Sequence, residues 1–357
     1  VAQYIAQHGH GDAARIRVAG DERVIGLQHD LQRHIGIAEH HLANSIDPSG
    51  KVRKEILDPQ NAGHNHSYHG TLRGLLLFGF LTRQQRFVKA VEATYRHGVR
   101  MRIVRESGWS PHDLGKTRYP NSNGDPVGEP ASIGDSAQIA LWLALRAGAT
   151  DLLDDVERLV RARLLPMQLT VDDIKRHPAI KFARRDLGAW TCPKPCHAEK
   201  GCIPDVTAAV AHTLCDVYRN ICTKAGTGLW INLHFDYADA DVSVTSRRSQ
   251  RAEVTVTPNR VNNLMIRIPG WAPESSLRLT IDERQMPVQR RDQYAWIPRE
   301  ALAPRSRVVL SYDLPERVSE EQMPSGRRYT FKWRGDEIVG ISPQDEPLPF
   351  YPAFSPA

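Results

Sequence analysis

Apolar residues recur at three- and four-residue steps up to about Gly226 and at every second position after it, so the pattern predicts helices followed by strands. The clearest helix spans residues 150–165, with Thr150 or Asp151 as cap, a stripe of Leu152, Val156, Leu159 and Val160, and Pro166 beyond its end. Residues 135–147 are apolar nearly all round, which predicts a helix buried between neighbours; Asp135 reads as its cap and Gly148 joins the pair into a hairpin. A second hairpin is expected over residues 70–81 and 84–97, with Gly98 stopping it in a left-handed conformation. A fifth helix opens at Asp205 and carries Val206, Val210, Leu214, Val217 and Ile221 on one face.

Beyond Gly226, Leu229, Ile231, Leu233 and Phe235 alternate with polar or amphipathic residues. The same period returns at Val242/Val244, Val254/Val256, Leu264/Ile266/Ile268, Leu277/Leu279/Ile281 and Val309/Ser311. Short strands at this spacing predict an antiparallel β-sandwich. The expected organisation is a helical domain over residues 1–226, a bundle or an incomplete (α/α) toroid, followed by a β-sandwich domain over residues 227–357.

The chain has 357 residues, 41% of them hydrophobic, a quarter charged, and a net charge of +6. The basic residues are interleaved with acids and form no basic helix or finger spacing, so no nucleic-acid partner is expected; an acidic glycan fits the same charge. No run of about 18 apolar residues predicts a membrane span, and residues 1–9 lack the zones of a signal peptide. The expectation is a soluble chain, and the absence of an initiator Met fits a piece of a longer protein. All five cysteines fall between Cys192 and Cys222, which argues against a disulfide framework for the whole chain.

Three runs carry a resemblance: Gly201-Cys202-Ile203-Pro204-Asp205 ahead of a helix, Gly228-Leu229-Trp230-Ile231-Asn232-Leu233, and Ile266-Arg267-Ile268-Pro269-Gly270-Trp271. With Gly128-Glu129-Pro130-Ala131-Ser132-Ile133-Gly134-Asp135 upstream and Phe331-Lys332-Trp333-Arg334-Gly335-Asp336 near the end, the chain resembles glycoside hydrolase family 127 over roughly residues 64–345. That resemblance implies an (α/α) toroid with β-sandwich domains and release of terminal β-L-arabinofuranose with retention. It also implies zinc held by a Glu and three Cys, one of which is the nucleophile. Glu129 falls on the Glu ligand and Cys202 on the second member of the Cys pair. Ala131 stands where the family has another Cys ligand, and Gly201 where it has the nucleophile.

Cys192, Cys196, His197 and Cys202 lie within eleven residues and offer the donor types zinc prefers; a Cys192–Cys196 disulfide or free thiols is the competing reading. The Gly-, Pro- and Asn-rich stretch 105–135 supplies the carboxylates a glycosidase needs beside the scissile bond. Glu129 is the first candidate, by family position and its place at a helix start, and Asp113 the second. His64, His66 and His69 precede a predicted helix, where the family has a sugar-contacting His; His69 matches best and His66 is also assigned to substrate. Tyr68, Trp109 and Trp190 read as sugar-stacking aromatics or as core. The sequence points to a glycoside hydrolase-like protein acting on a terminal arabinofuranoside-like or uronate sugar. A non-catalytic glycan binder and a polysaccharide lyase are the alternatives.

Overall fold

The computed structural model describes residues 21–118, 120–121, 124–176, 187–190, 204–226, 228–344 and 351. Among the described residues, seven α-helices lie in the first part: α1 Asp21–Ser45, α2 Asn65–Thr82, α3 Gln85–Thr94, α4 Pro130–Ala147, α5 Leu153–Leu159, α6 Val171–Arg176 and α7 Pro204–Arg219. Both α3 and α5 run on into a wider π-helical turn, Tyr95–Val99 and Val160–Leu164. No described helix is long and apolar enough to cross a membrane.

α4 is the axis of this part. Its apolar character all round is explained by neighbours on each side, α2, α5 and α7, and its residues 130–141 are buried throughout. Gly134 lets α7 come close, because a Cβ there would stand 2.9 Å from Thr213 Oγ1. Gly79 does the same between α2 and α3, where Val88 and Phe87 fill the space a side chain would need. Helix α4 begins at Pro130, five residues before the expected start, since Pro is favoured in a first turn, and Asp135 is therefore a buried interior residue and not a cap. Gly148 closes α4 in the left-handed region as expected (φ 83°). Gly98, expected to stop the second helix of the other hairpin in that conformation, does not: it lies inside the π turn that continues α3, without a positive φ and with Val52 packed 3.0 Å from where its Cβ would be, and the positive-φ residue of this hairpin is Arg83, at the end of α2.

The strands are β1 Ala62–His64, β2 Asp113–Gly115, β3 Cys222–Ala225, β4 Gly228–Ile231, β5 Tyr237–Ala238, β6 Val242–Arg248, β7 Arg251–Pro258, β8 Asn263–Arg267, β9 Arg278–Ile281, β10 Arg284–Met286, β11 Arg290–Arg291, β12 Tyr294–Ile297, β13 Val308–Asp313, β14 Glu316–Gln322, β15 Arg328–Arg334 and β16 Glu337–Ser342. A six-stranded sheet (β10-β9-β13-β7-β6-β5) packs on a five-stranded sheet (β11-β12-β8-β4-β3), antiparallel except for the parallel pair β4–β8. Their inner faces share one apolar core, so the sandwich is present. Its first strand starts at Cys222, and Gly226 (φ 57°) belongs to the β3–β4 hairpin and not to a linker. In β13 the core-facing residues are Val308, Leu310 and Tyr312; the expected Val309/Ser311 alternation is one residue out of register. A third, three-stranded sheet, β14-β15-β16, has its own core, in which Phe331 and Trp333 pack with Trp109 and Ala162 of the helical part.

The helices and the sheets meet through a buried ionic cluster. Arg267 of β8 donates to the Asn232 carbonyl at 2.6 Å, pairs with Glu157 at 2.8 Å and also with Asp154 of α5. Glu157 is fully buried and accepts the backbone N–H of His234, while His234 Nδ1 lies 2.6 Å from the Tyr312 hydroxyl. Arg248 pairs with Asp336 beside them.

Candidate functional site

Three backbone segments come side by side to build the site. β1 and β2 pair antiparallel with His64 opposite Asp113, and Pro111 bridges Gly128. The Asn65 N–H donates to the His112 carbonyl (2.9 Å), His112 N–H to Val127 (2.8 Å) and Glu129 N–H to Ser110 (2.9 Å). Buried Asn65 reinforces the crossing by donating from Nδ2 to Ser110 Oγ and the Pro111 carbonyl. The result holds the side chains of His64, at the head of α2, His112, in the loop, and Glu129, at the head of α4, in one place.

Glu129 Oε1 lies 3.0 Å from His64 Nε2, and the His64 and His112 rings are 4.7 Å apart, tilted by 39°. One donor atom from each of His64, His112 and Glu129 lies within 4.8 Å of the others, so these three side chains form a group that could hold a metal ion. The Glu129 side chain is only 3% exposed, against 31% for His64, and Glu129 Oε2 is buried without a hydrogen-bond partner among the described residues. Burial pushes its carboxyl above the ordinary range, and the charges of His64 and His112 pull it back. Its side chain makes no capping bond to α4, although it occupies the cap position.

Asp113 is held differently. Its carboxylate accepts from the Arg118 backbone N–H (2.8 Å), Arg118 Nε (2.8 Å) and Nη2 (2.7 Å), and lies 3.0 Å from His112 Nδ1. Burial alone would raise its pKa; the bonds from Arg118 and His112 outweigh this and keep it below the ordinary carboxylate value. Asp113 therefore reaches the site through His112. His66 Nδ1 lies 2.6 Å from Asp135 Oδ2, whose other oxygen accepts from Arg73 at 2.5 Å. The bond to Asp135 raises the His66 pKa against the effect of its partial burial.

Helix α2 starts at Asn65, so His66 and His69 are helical and not in a loop. His69 is fully buried, bonded through Nδ1 to the Asn65 carbonyl, and burial lowers its pKa. Tyr68 is buried with the helical core. Trp109 is buried beneath β15 with the Arg105 guanidinium 5.0 Å from its ring centre, and Trp190 donates from its indole to the Leu164 carbonyl. Cys192, Cys196, His197 and Cys202 lie outside the described residues. His64 and His112 are the partners that sequence reading left without a role of their own: His64 was one of three candidates in a His-rich run and His112 one residue of a long loop. Their link to Glu129 depends on pairing between residues about fifty apart, for which no local signal exists.

No protein-family model and no curated protein matches the chain in sequence. Solved structures do. A GH127 β-L-arabinofuranosidase from Geobacillus stearothermophilus T6 is 15% identical, with a TM-score of 0.50 over 78% of this chain and 47% of its own. A structure described as a glycoside hydrolase is 16% identical, with a TM-score of 0.53 over 77% of this chain and 51% of its own. A second GH127 β-arabinofuranosidase is 13% identical, with a TM-score of 0.53 over 86% of this chain and 52% of its own. The chain thus spans about half the length of the structures it matches. With helices packed about α4 and a two-sheet sandwich behind them, it is similar in fold to the glycoside hydrolases of family 127.

Proposed function

We propose that the chain is a glycoside hydrolase-like protein acting on a terminal sugar of a glycan, arabinofuranoside-like or uronate, at the mouth formed by β1, β2 and the head of α4. The observation that carries this reading is the convergence of Glu129 with His64, His66 and His112 on one partly exposed spot of a glycoside hydrolase fold. Cleaving a glycosidic bond takes polar groups that stabilise the leaving oxygen and the cationic anomeric centre, on a scaffold rigid enough to hold them in place. Glu129 is the catalytic carboxylate in this reading. Asp113 is a positioning residue acting through His112, and His66, oriented by Asp135, hydrogen-bonds sugar hydroxyls. His69, Tyr68 and Trp109, the other residues expected to meet substrate, are buried, Tyr68 with the helical core and Trp109 under the three-stranded sheet, and are packing residues in this reading. Zinc belongs to the reading through donors other than the family's full thiol set, since Ala131 and Gly201 occupy two of the four family ligand positions.

The test is turnover on a panel of aryl furanosides and uronides by the full chain and by Glu129→Gln. The expected result is activity on at least one glycoside, with kcat lowered by at least about 100-fold in the variant and the fold unchanged. A folded wild-type chain that turns over no glycoside, with sugar binding unaffected by the substitution, is instead a non-catalytic glycan binder. An unsaturated, ultraviolet-absorbing product from a uronate polymer makes it a lyase.

A further inference from the structure

We propose that His64, His112 and Glu129 are the protein ligands of a divalent metal site of the zinc type, with a fourth position open to water or a sugar oxygen. Two imidazoles and one carboxylate are a donor set of catalytic zinc, which keeps one position for an exchangeable ligand. The inference stands on donor geometry and does not depend on the hydrolase reading.

The distances suit it. Ligands at about 2.0–2.2 Å from a tetrahedral ion stand roughly 3.4 Å from one another. The His64 Nε2 to Glu129 Oε1 separation is 3.0 Å, and no pair among the three donors exceeds 4.8 Å.

Glu129 Oε2 is a second, independent observation. It is an oxygen of a carboxylate almost completely withdrawn from water, and no donor among the described residues reaches it. The His64 contact accounts for Oε1 only. A buried carboxylate oxygen is costly unless a cation or a hydrogen bond compensates it, and an ion between the three side chains supplies the cation.

The outer contacts are those of a metal site as well. His64 Nδ1 lies 3.0 Å from Ser67 Oγ, and His112 Nδ1 lies 3.0 Å from Asp113 Oδ1. The Asp113 carboxylate can only accept, so it holds the proton on His112 Nδ1 and leaves Nε2 as the electron-pair donor, the carboxylate–histidine arrangement that orients metal-bound imidazoles, while the Ser67 hydroxyl steadies the His64 ring. Asp113 is itself fixed by three bonds from Arg118. Partial exposure of both rings leaves a path for the ion and for its fourth ligand.

The test uses the full chain, stripped with chelator and titrated separately with Zn2+ and Co2+. Elemental analysis gives stoichiometry, calorimetry gives Kd, and the visible spectrum of the cobalt form reports the donor atoms. A site on these ligands binds an ion whose cobalt spectrum lacks a thiolate-to-metal charge-transfer band. It is lost in His112→Gln and in Glu129→Gln and kept in His97→Gln, an exposed histidine elsewhere. Asp113→Asn weakens binding about 10–100-fold without changing stoichiometry. Thermal melting gives a readout independent of activity: Zn2+ raises the Tm of the wild type and leaves that of Glu129→Gln unmoved. Without metal, Glu129→Gln melts at or above the wild-type temperature, because it removes a buried charge that His64 compensates only at Oε1. Binding that persists in both ligand variants, a thiolate band as the sole cobalt signal, or no bound ion at all overturns the assignment. Metal binding without glycoside turnover removes the hydrolase reading and leaves this one; glycoside turnover by a chain that binds no ion does the reverse.

Discussion

Arg267→Met probes the junction between helices and sheets. Arg267 is 1% exposed and satisfies three acceptors at once: the Asn232 carbonyl, Asp154 and Glu157. Methionine fills the apolar part of the volume and removes the charge. Glu157, with no access to water, then keeps, among the described residues, the His234 N–H and the Arg161 guanidinium at 3.7 Å. Removing one partner of a buried pair costs about 3–5 kcal/mol, because the remaining charge stays desolvated. At about 2–4 °C per kcal/mol, this lowers Tm by roughly 6–20 °C, toward the smaller value for a chain of this length. The assay is thermal and urea unfolding of wild type, Arg267→Met, Glu157→Gln and the double variant, followed by tryptophan fluorescence and circular dichroism. Once the carboxylate is neutral the arginine has less to neutralise, so the double variant is more stable than the sum of the single losses implies. A coupling below about 0.5 kcal/mol, the range of independent sites, refutes the reasoning.

Two further predictions follow from buried titratable groups. Burial holds His234 at a pKa of about 3, against the pull of Glu157 and with repulsion from Arg267, Arg161 and Arg248. The unfolded chain therefore binds the extra proton between about pH 6.5 and 3 and the folded chain does not, so stability falls as pH drops through that window. The slope from this group approaches about 1.4 kcal/mol per pH unit. Urea titrations at several pH values are expected to give a shallower slope for His234→Gln; equal slopes remove the assignment. Burial also pushes the Cys222 thiol up to about 12, whereas Cys215 is exposed. Brief alkylation of the native chain at pH 8, read by peptide mapping, is expected to label Cys215 and spare Cys222; labelling of Cys222 at a comparable rate counts against the packing described for β3.

Much of the fold was readable because burial imposes a period. The sandwich strands follow a two-residue alternation and α4 is apolar all round, and the structure has both. Where the pattern was ambiguous, the reading slipped. Val308 and Val309 are both apolar, so alternation alone could not choose the face of β13, and pairing with β7 and β9 decides for Val308. The polar run Asn65-His66-Ser67 hides the first turn of α2, and Asp135 looks like a cap until Pro130 is seen to open α4 five residues earlier. In the site, Glu129 was legible from its place at a helix head. His64 and His112 were not, because the β1–β2 ribbon that joins them is held by backbone hydrogen bonds that leave no mark on composition. Trp109 lies in a Gly- and Pro-rich stretch and looks like a ligand-facing aromatic. Strands more than two hundred residues later cover it.

The ionic cluster at the junction also bears on whether the two halves of this chain are portable. Asp154 and Glu157 belong to the helical side and Arg267 to the sandwich, and each side carries at its docking face charge that the other helps to neutralise. Taken apart, those faces would expose these charges to water together with the apolar side chains packed around them, such as Leu233, Met265 and Tyr294. Joined to a foreign partner without the matching charge, the same faces would bury an uncompensated ion. The halves are exchangeable between relatives only as a set in which residues 154, 157 and 267 travel together.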